Sequence, residues 1–89
     1  MVAYTLVFTK AAADATPKLK AAKLDQKARA LLDILREEPF RSPPPFETLR
    51  GDLRGMFSRR INRQHRLVYT VIEESKTVKI ISMWSHYEF

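Results

Sequence analysis

Apolar and polar residues follow two different rhythms along this 89-residue chain. Leu24, Ala28, Leu31, Leu32 and Leu35 recur at the α-helical period, with Lys27, Arg29, Asp33 and Arg36 on the other side. That stripe predicts an amphipathic helix from Leu24 to Glu37, ended by Pro39. Elsewhere the rhythm shortens to two. Tyr4 to Phe8 is rich in β-branched and aromatic residues and predicts a first strand. Met56 to Asn62, Arg66 to Ile72 and Thr77 to Met83 predict three more, with Phe46 to Leu49 a short strand ahead of them. Between the first strand and the striped helix, Thr9 is placed to cap an alanine-rich helix from Lys10 to Ala15. Pro17 breaks that helix, and Thr16 is expected to cap its restart.

The connections settle the architecture. Gln64-His65 and Glu73-Glu74-Ser75-Lys76 are short, so the strands they join are antiparallel partners. Phe40 to Pro45, with Pro43-Pro44-Pro45 inside it, reads as a stiff linker of extended polyproline conformation. The order β-α-α-β-β-β-β predicts an α+β domain in which two helices pack on one face of a twisted, mainly antiparallel sheet. Eighty-nine residues support one core, hence a single domain over 1–89.

Strand parity divides the side chains between two faces. Phe57 and Ile61 want the helices, which turns Ser58, Arg60 and Asn62 the other way. Leu67, Tyr69 and Val71 form one set of the next strand, and Arg66, Val68 and Thr70 the other. An open face bearing Arg60 and Arg66 is a seat for a phosphate. Arg59 falls on the core-facing parity and is expected near an edge, with its head in solvent.

Composition sharpens this picture. Apolar residues at 45% and charged residues at 29% are those of an ordinary globular protein. A formal charge of +6 and a pI near 10 favour polyanions, nucleic acid first among them. Arg50, Arg54, Arg59, Arg60, Arg63 and Arg66 lie in one segment with Asp52 as its sole acid. Arginine's planar fork suits phosphate oxygens better than lysine's point charge. The absence of cysteine fits a reducing cytoplasm and removes thiolate metal sites. The start of the chain offers no leader or membrane-spanning run, so a cytoplasmic protein without a membrane partner is expected.

Gly51 and Gly55 are the only glycines, which rules out a glycine-rich phosphate loop. His65 and His86 stand far apart with no acidic pair at ligand spacing, so neither a metal nor another cofactor is implied. A proton-transfer pair beside arginines remains: Glu47 opens the arginine-rich segment and His86 follows the last strand. Cleaving RNA without a metal needs a base for the 2′-hydroxyl, an acid for the 5′-oxygen and cations for the growing charge on phosphorus. Taken singly, Glu47 also reads as an exposed carboxylate and His86 as a solvated histidine. Arg66, flanked by Leu67, Val68 and Tyr69, is costly unless it serves something.

The run from Gly55 to Tyr69, containing Ser58-Arg59-Arg60-Ile61 and His65-Arg66-Leu67-Val68-Tyr69, together with Met83-Trp84-Ser85-His86-Tyr87-Glu88, resembles the Txe/YoeB family of toxins within the RelE/ParE superfamily. Pro39-Phe40 and Pro45-Phe46-Glu47-Thr48-Leu49 match it upstream. The resemblance implies an endoribonuclease that cuts mRNA in the ribosomal A site, leaving a 2′,3′-cyclic or 3′-phosphate and a 5′-hydroxyl. It implies Glu47 as general base, His86 as general acid and Arg66 as stabiliser of the phosphorane. Arg50 and Arg60 would contact phosphate, and Tyr87 would position the nucleotide. The implied partners are mRNA, the ribosome and a neutralising antitoxin of the YefM/Axe type, with a homodimer left open. Many relatives carry Arg-Tyr where this chain has Trp84-Ser85, which puts one phosphate or ribosome contact in doubt, and His65 has no catalytic task. Two other readings stay open: a gyrase-poisoning toxin of the ParE type, and a non-catalytic basic RNA- or DNA-binding domain.

Overall fold

The alanine-rich stretch after Thr9 does turn helical, and Pro17 does interrupt it. In the computed structural model, which describes residues 3–84, α1 spans Lys10–Asp14 and α2 Thr16–Ala21, so the first helix is built in two pieces. Thr9 caps α1 as expected: its hydroxyl accepts from the Ala12 amide at 3.1 Å and donates to the Ile81 carbonyl at 2.7 Å. Thr16 does not cap α2. The cap position falls on Ala15, already in right-handed helical geometry, and Pro17 in the first turn lacks the amide that a side chain would satisfy. The striped helix, α3, covers Asp25–Glu37 and buries Ala28, Leu31 and Leu35.

The strands are β1 (Thr5–Phe8), β2 (Glu47–Thr48), β3 (Phe57–Arg60), β4 (Arg66–Ile72) and β5 (Thr77–Ser82). They form one sheet in the order β1-β5-β4-β3-β2. β1 runs parallel to β5, and every other pairing is antiparallel. The expected α+β architecture, helices on one face of a mainly antiparallel sheet, is the one observed. β3 stops short of Asn62 because the amides of Ile61 and Asn62 already turn to the His65 carbonyl and close the hairpin. The core lies between helices and sheet, where Leu19, Leu31 and Leu35 meet Ile61, Leu67, Tyr69, Val78 and Ile80. The parity of β3 and β4 is therefore as expected.

Arg59 is not. Its side chain is buried, with 1% of the residue exposed, on the core-facing side of β3. The guanidinium donates to the carbonyls of Pro44 (2.6 Å), Pro39 (3.0 Å) and Arg41 (2.8 Å), while Nε donates to the Tyr69 hydroxyl (3.2 Å). Tyr69 passes its own proton to the Pro39 carbonyl at 2.8 Å. The Phe46 ring covers the charge, with its centroid 5.1 Å from the guanidinium carbon. Carbonyl dipoles and an aromatic face thus replace the water that was expected to hold this head. The same bonds overturn the extended polyproline reading. The Pro39–Pro45 segment bends around the guanidinium, and the peptide bonds preceding Pro43 and Pro44 are cis.

Replacing Arg59 by Met should cost about 3 kcal/mol or more, because three carbonyls lose their donor in a buried place. A shift of the urea midpoint worth under about 1 kcal/mol would show that these bonds contribute little. Burial also pushes the Tyr69 phenol above its ordinary value of 10.0, against the lowering influence of Arg59. The folded state then holds this proton more tightly than the unfolded chain. The linked stability is present below the unfolded value and is lost as pH rises through the folded one. Above pH 10, denaturation curves of the parent should fall more steeply than those of Tyr69→Phe, and parallel curves would contradict the linkage.

Candidate functional site

On the face away from the helices, three strands set four polar side chains side by side. Glu47 in β2 is paired with Ser58 in β3, and two residues further along β3 Arg60 is paired with Arg66 in β4. The hairpin at Asn62–His65 fixes that register: the Asn62 side-chain oxygen accepts from the amides of Gln64 and His65 at 2.8 and 2.7 Å. Upstream, the Arg59 bonds hold the bent linker against the sheet, and the chain leaves it as β2. Pro45, Glu47, Ser58, Arg60 and Arg66 line a cleft of about 190 Å³. Glu47, Thr48, Leu49, Arg50 and Gly51 line a second hollow on the same short strand.

Within the first cleft, Arg66 Nη1 donates to Glu47 Oε1 at 3.1 Å. The arginine side chain is 20% exposed and the glutamate 57%, so water screens the pair and its net contribution to stability is small. Arg60 and Arg66 directly oppose each other across two antiparallel strands, a placement that like charges disfavour. One carboxylate does not balance two guanidinium groups, and a phosphate oxygen would complete the set.

Of the expected site residues, Glu47, Arg60 and Arg66 are brought together in this cleft, and Arg50 borders the adjoining hollow. His86 and Tyr87 lie outside the described residues. Reading by residue type overlooked Ser58 as a lining residue; its place on the outward parity of β3, two positions before Arg60, was the available signal. His65 has more to do than close a hairpin. Its ring stacks on Trp84 (centroids 3.9 Å apart, planes 18° apart), and Nδ1 bonds the Trp84 carbonyl. Trp84 is thus fastened to the β3–β4 turn. Among the described residues, no group of three or more His, Cys, Asp or Glu is placed to hold a metal, and no helix is long and apolar enough to cross a membrane.

A five-stranded sheet with this order and helices packed on one face is the fold of toxins of YoeB/RelE type. The structure superposes on a YoeB/ParE toxin from Agrobacterium tumefaciens with a TM-score of 0.84 and 30% identity, covering 93% of this chain and 99% of that one. Against the YoeB–YefM complex from Staphylococcus aureus the TM-score is 0.78 at 32% identity, covering 94% and 98%. A Toxin YoeB from Synechocystis sp. is 38% identical over 66 residues, 74% of each chain. The model of the YoeB-like toxin of bacterial type II toxin–antitoxin systems matches residues 16–87, and the chain belongs to that family.

The opposed arginines make a measurable statement about anions. Inorganic phosphate should raise the melting temperature of the parent protein at low ionic strength, since a ligand of the folded state stabilises it by mass action. Arg60→Ala should lose most of that response while matching or exceeding the parent's stability without phosphate, because a cross-strand repulsion is relieved. An undiminished response in Arg60→Ala would place the anion elsewhere.

Proposed function

We propose that this toxin is a metal-independent endoribonuclease that cleaves mRNA in the ribosomal A site and so stops translation in the cytoplasm. The observation that carries the reading is the Glu47–Arg66 contact in a cleft where Arg60 opposes Arg66. A base and two cations then surround one phosphate-sized space. The 2′-hydroxyl attacks phosphorus and gives its proton to Glu47. The bond from phosphorus to the 5′-oxygen breaks, and His86 protonates that oxygen. The products are a 2′,3′-cyclic phosphate and a 5′-hydroxyl, so every proton and electron pair is placed. Arg66 stabilises the pentavalent phosphorane, Arg60 and Arg50 hold phosphate oxygens, and Tyr87 positions the nucleotide. The cleft supplies a base and electrostatic stabilisation from its own side chains and His86 is the proposed acid, so the reading requires no metal.

In this reading Glu47 and Arg66 exchange partners. The free protein pairs them; bound phosphate competes for the arginine and leaves the carboxylate to the 2′-hydroxyl. Because the pair is solvent-screened, breaking it costs little. The partner that silences the toxin is an antitoxin of YefM type, as in the S. aureus complex. Its acidic and apolar segment covers Arg60 and Arg66 and displaces His86. A homodimer, the form solved for the S. aureus YoeB, is the accompanying assembly.

The test is to map RNA ends in a translating extract with and without the protein, and to assay naked RNA in excess EDTA. Cleavage on naked RNA should persist with the chelator present. Loss on chelation, restored by a transition metal, would overturn the metal-free mechanism. Inhibited DNA supercoiling with intact RNA would instead identify a gyrase poison. Arg66→Ala should lower single-turnover cleavage about 10²–10³-fold, much more than it lowers RNA affinity, since most of the charge it meets develops in the transition state. Arg54→Ala or Arg63→Ala should weaken binding modestly and flatten its salt dependence. An undisturbed rate in Arg66→Ala would mean that another cation carries the phosphorane.

A further inference from the structure

Ser58 is the residue in this cleft for which neither fold nor mechanism yet gives a task. It is 1% exposed, and its hydroxyl oxygen is the one buried side-chain N or O among the described residues that has no hydrogen-bond partner there. By contrast, buried Arg59 makes four bonds, and Tyr69 donates to Pro39. A buried hydroxyl left unmatched is unfavourable, and alanine would fill the same place on β3 without that cost. The hydroxyl is therefore not there for the sake of packing.

Its surroundings indicate what it is for. Ser58 lines the cleft beside Pro45, Glu47, Arg60 and Arg66. Glu47 is its partner on β2, and Arg66 lies on β4, so the Glu47–Arg66 ion pair reaches over β3 between Ser58 and Arg60. An anion that draws Arg66 away from Glu47 arrives in the same cleft as this unused donor.

We propose that Ser58 is a direct ligand of the bound phosphodiester, its hydroxyl donating to a non-bridging oxygen of the phosphate that Arg60 and Arg66 flank. The assignment rests on the ribonuclease reading and adds to it a neutral donor at the floor of the cleft. A short, rotatable O–H held in a water-poor place needs no reorganisation as charge grows on the phosphoryl oxygen, so the bond strengthens toward the phosphorane. The two arginines attract the anion from solution, whereas the serine fixes which oxygen faces the protein.

The experiment compares the parent with Ser58→Ala by four readouts. On all-oxygen RNA, single-turnover cleavage should fall about 10²-fold, the lower end of the range for loss of one preorganised donor, while the melting temperature stays level or rises. On RNA carrying one sulfur at the mapped cleavage site, as separate Rp and Sp isomers, the parent should be slowed selectively by sulfur at the contacted oxygen. In Ser58→Ala that selective slowing should shrink by about the factor already lost on normal RNA. Affinity for an oligonucleotide blocked by a 2′-deoxy sugar at that position should fall several-fold. A variant that cleaves at the parental rate, or one that is slowed with both sulfur effects intact, overturns the proposal. If the parent itself leaves RNA whole, the ribonuclease reading falls, and Ser58 is then decided by the oligonucleotide alone: equal affinity refutes it as a phosphate ligand.

Discussion

A positive charge buried without a carboxylate organises this molecule. Arg59 is solvated by the carbonyls of Pro39, Arg41 and Pro44, by the Tyr69 hydroxyl and by the Phe46 face. The three carbonyls belong to a linker that has no helix or strand of its own. Three prolines deprive the linker of amide donors, so its carbonyls cannot be satisfied by helix or sheet. The guanidinium gathers them at one point and fastens the bend between α3 and β2 to the middle of the sheet. Since β2 is only two residues long, its position is decided by what comes just before it. The placement of Glu47 against Arg66 is thus a downstream result of Arg59, which never touches either.

Adjacent arginines consequently have opposite fates. Arg59 and Arg60 follow one another on β3, yet the pleat sends one into the core and the other into the cleft. One is neutralised by dipoles for good; the other, exposed to water and with no side-chain hydrogen bond among the described residues, is open to an anion. Ser58 shares the second condition. The cleft collects groups whose bonding capacity is deliberately incomplete, whereas the inner face of the same strand leaves nothing open.

How far the sequence could be read follows from which forces were local. α3 and β4 were legible because one period, 3.6 or 2, runs through each without interruption, and the observed β4 covers Arg66–Ile72 as expected. Parity likewise placed Arg60 and Arg66 on a common face. Arg59 was misplaced because parity pointed inward while ordinary solvation pointed outward, and its carbonyl partners lie 15 to 20 residues back in the chain. The bend of the linker was hidden for the same reason: proline content describes stiffness, not the guanidinium around which the chain turns. Thr16 lost its capping role because the preceding turn never unwound. The stack of His65 on Trp84 joins residues 19 apart, through a side chain that the family motif alone gave no task.

The parallel pairing of β1 with β5 carries a temporal consequence. β5 sits between β1 and β4, and Thr9 bonds Ile81 across 72 residues of chain. During synthesis β1 emerges first and has no hydrogen-bonding neighbour until β5 follows; the β3–β4 hairpin meanwhile lacks the strand that ties it to the helical half. Long-range closures of this kind come late in folding, because loop entropy is lost before contacts compensate for it. A chain that lacks β5 therefore presents the β3–β4 hairpin without the strand that joins it to β1. Closure of the sheet on both sides of β5 thus waits on the most distant strand pairing in the fold.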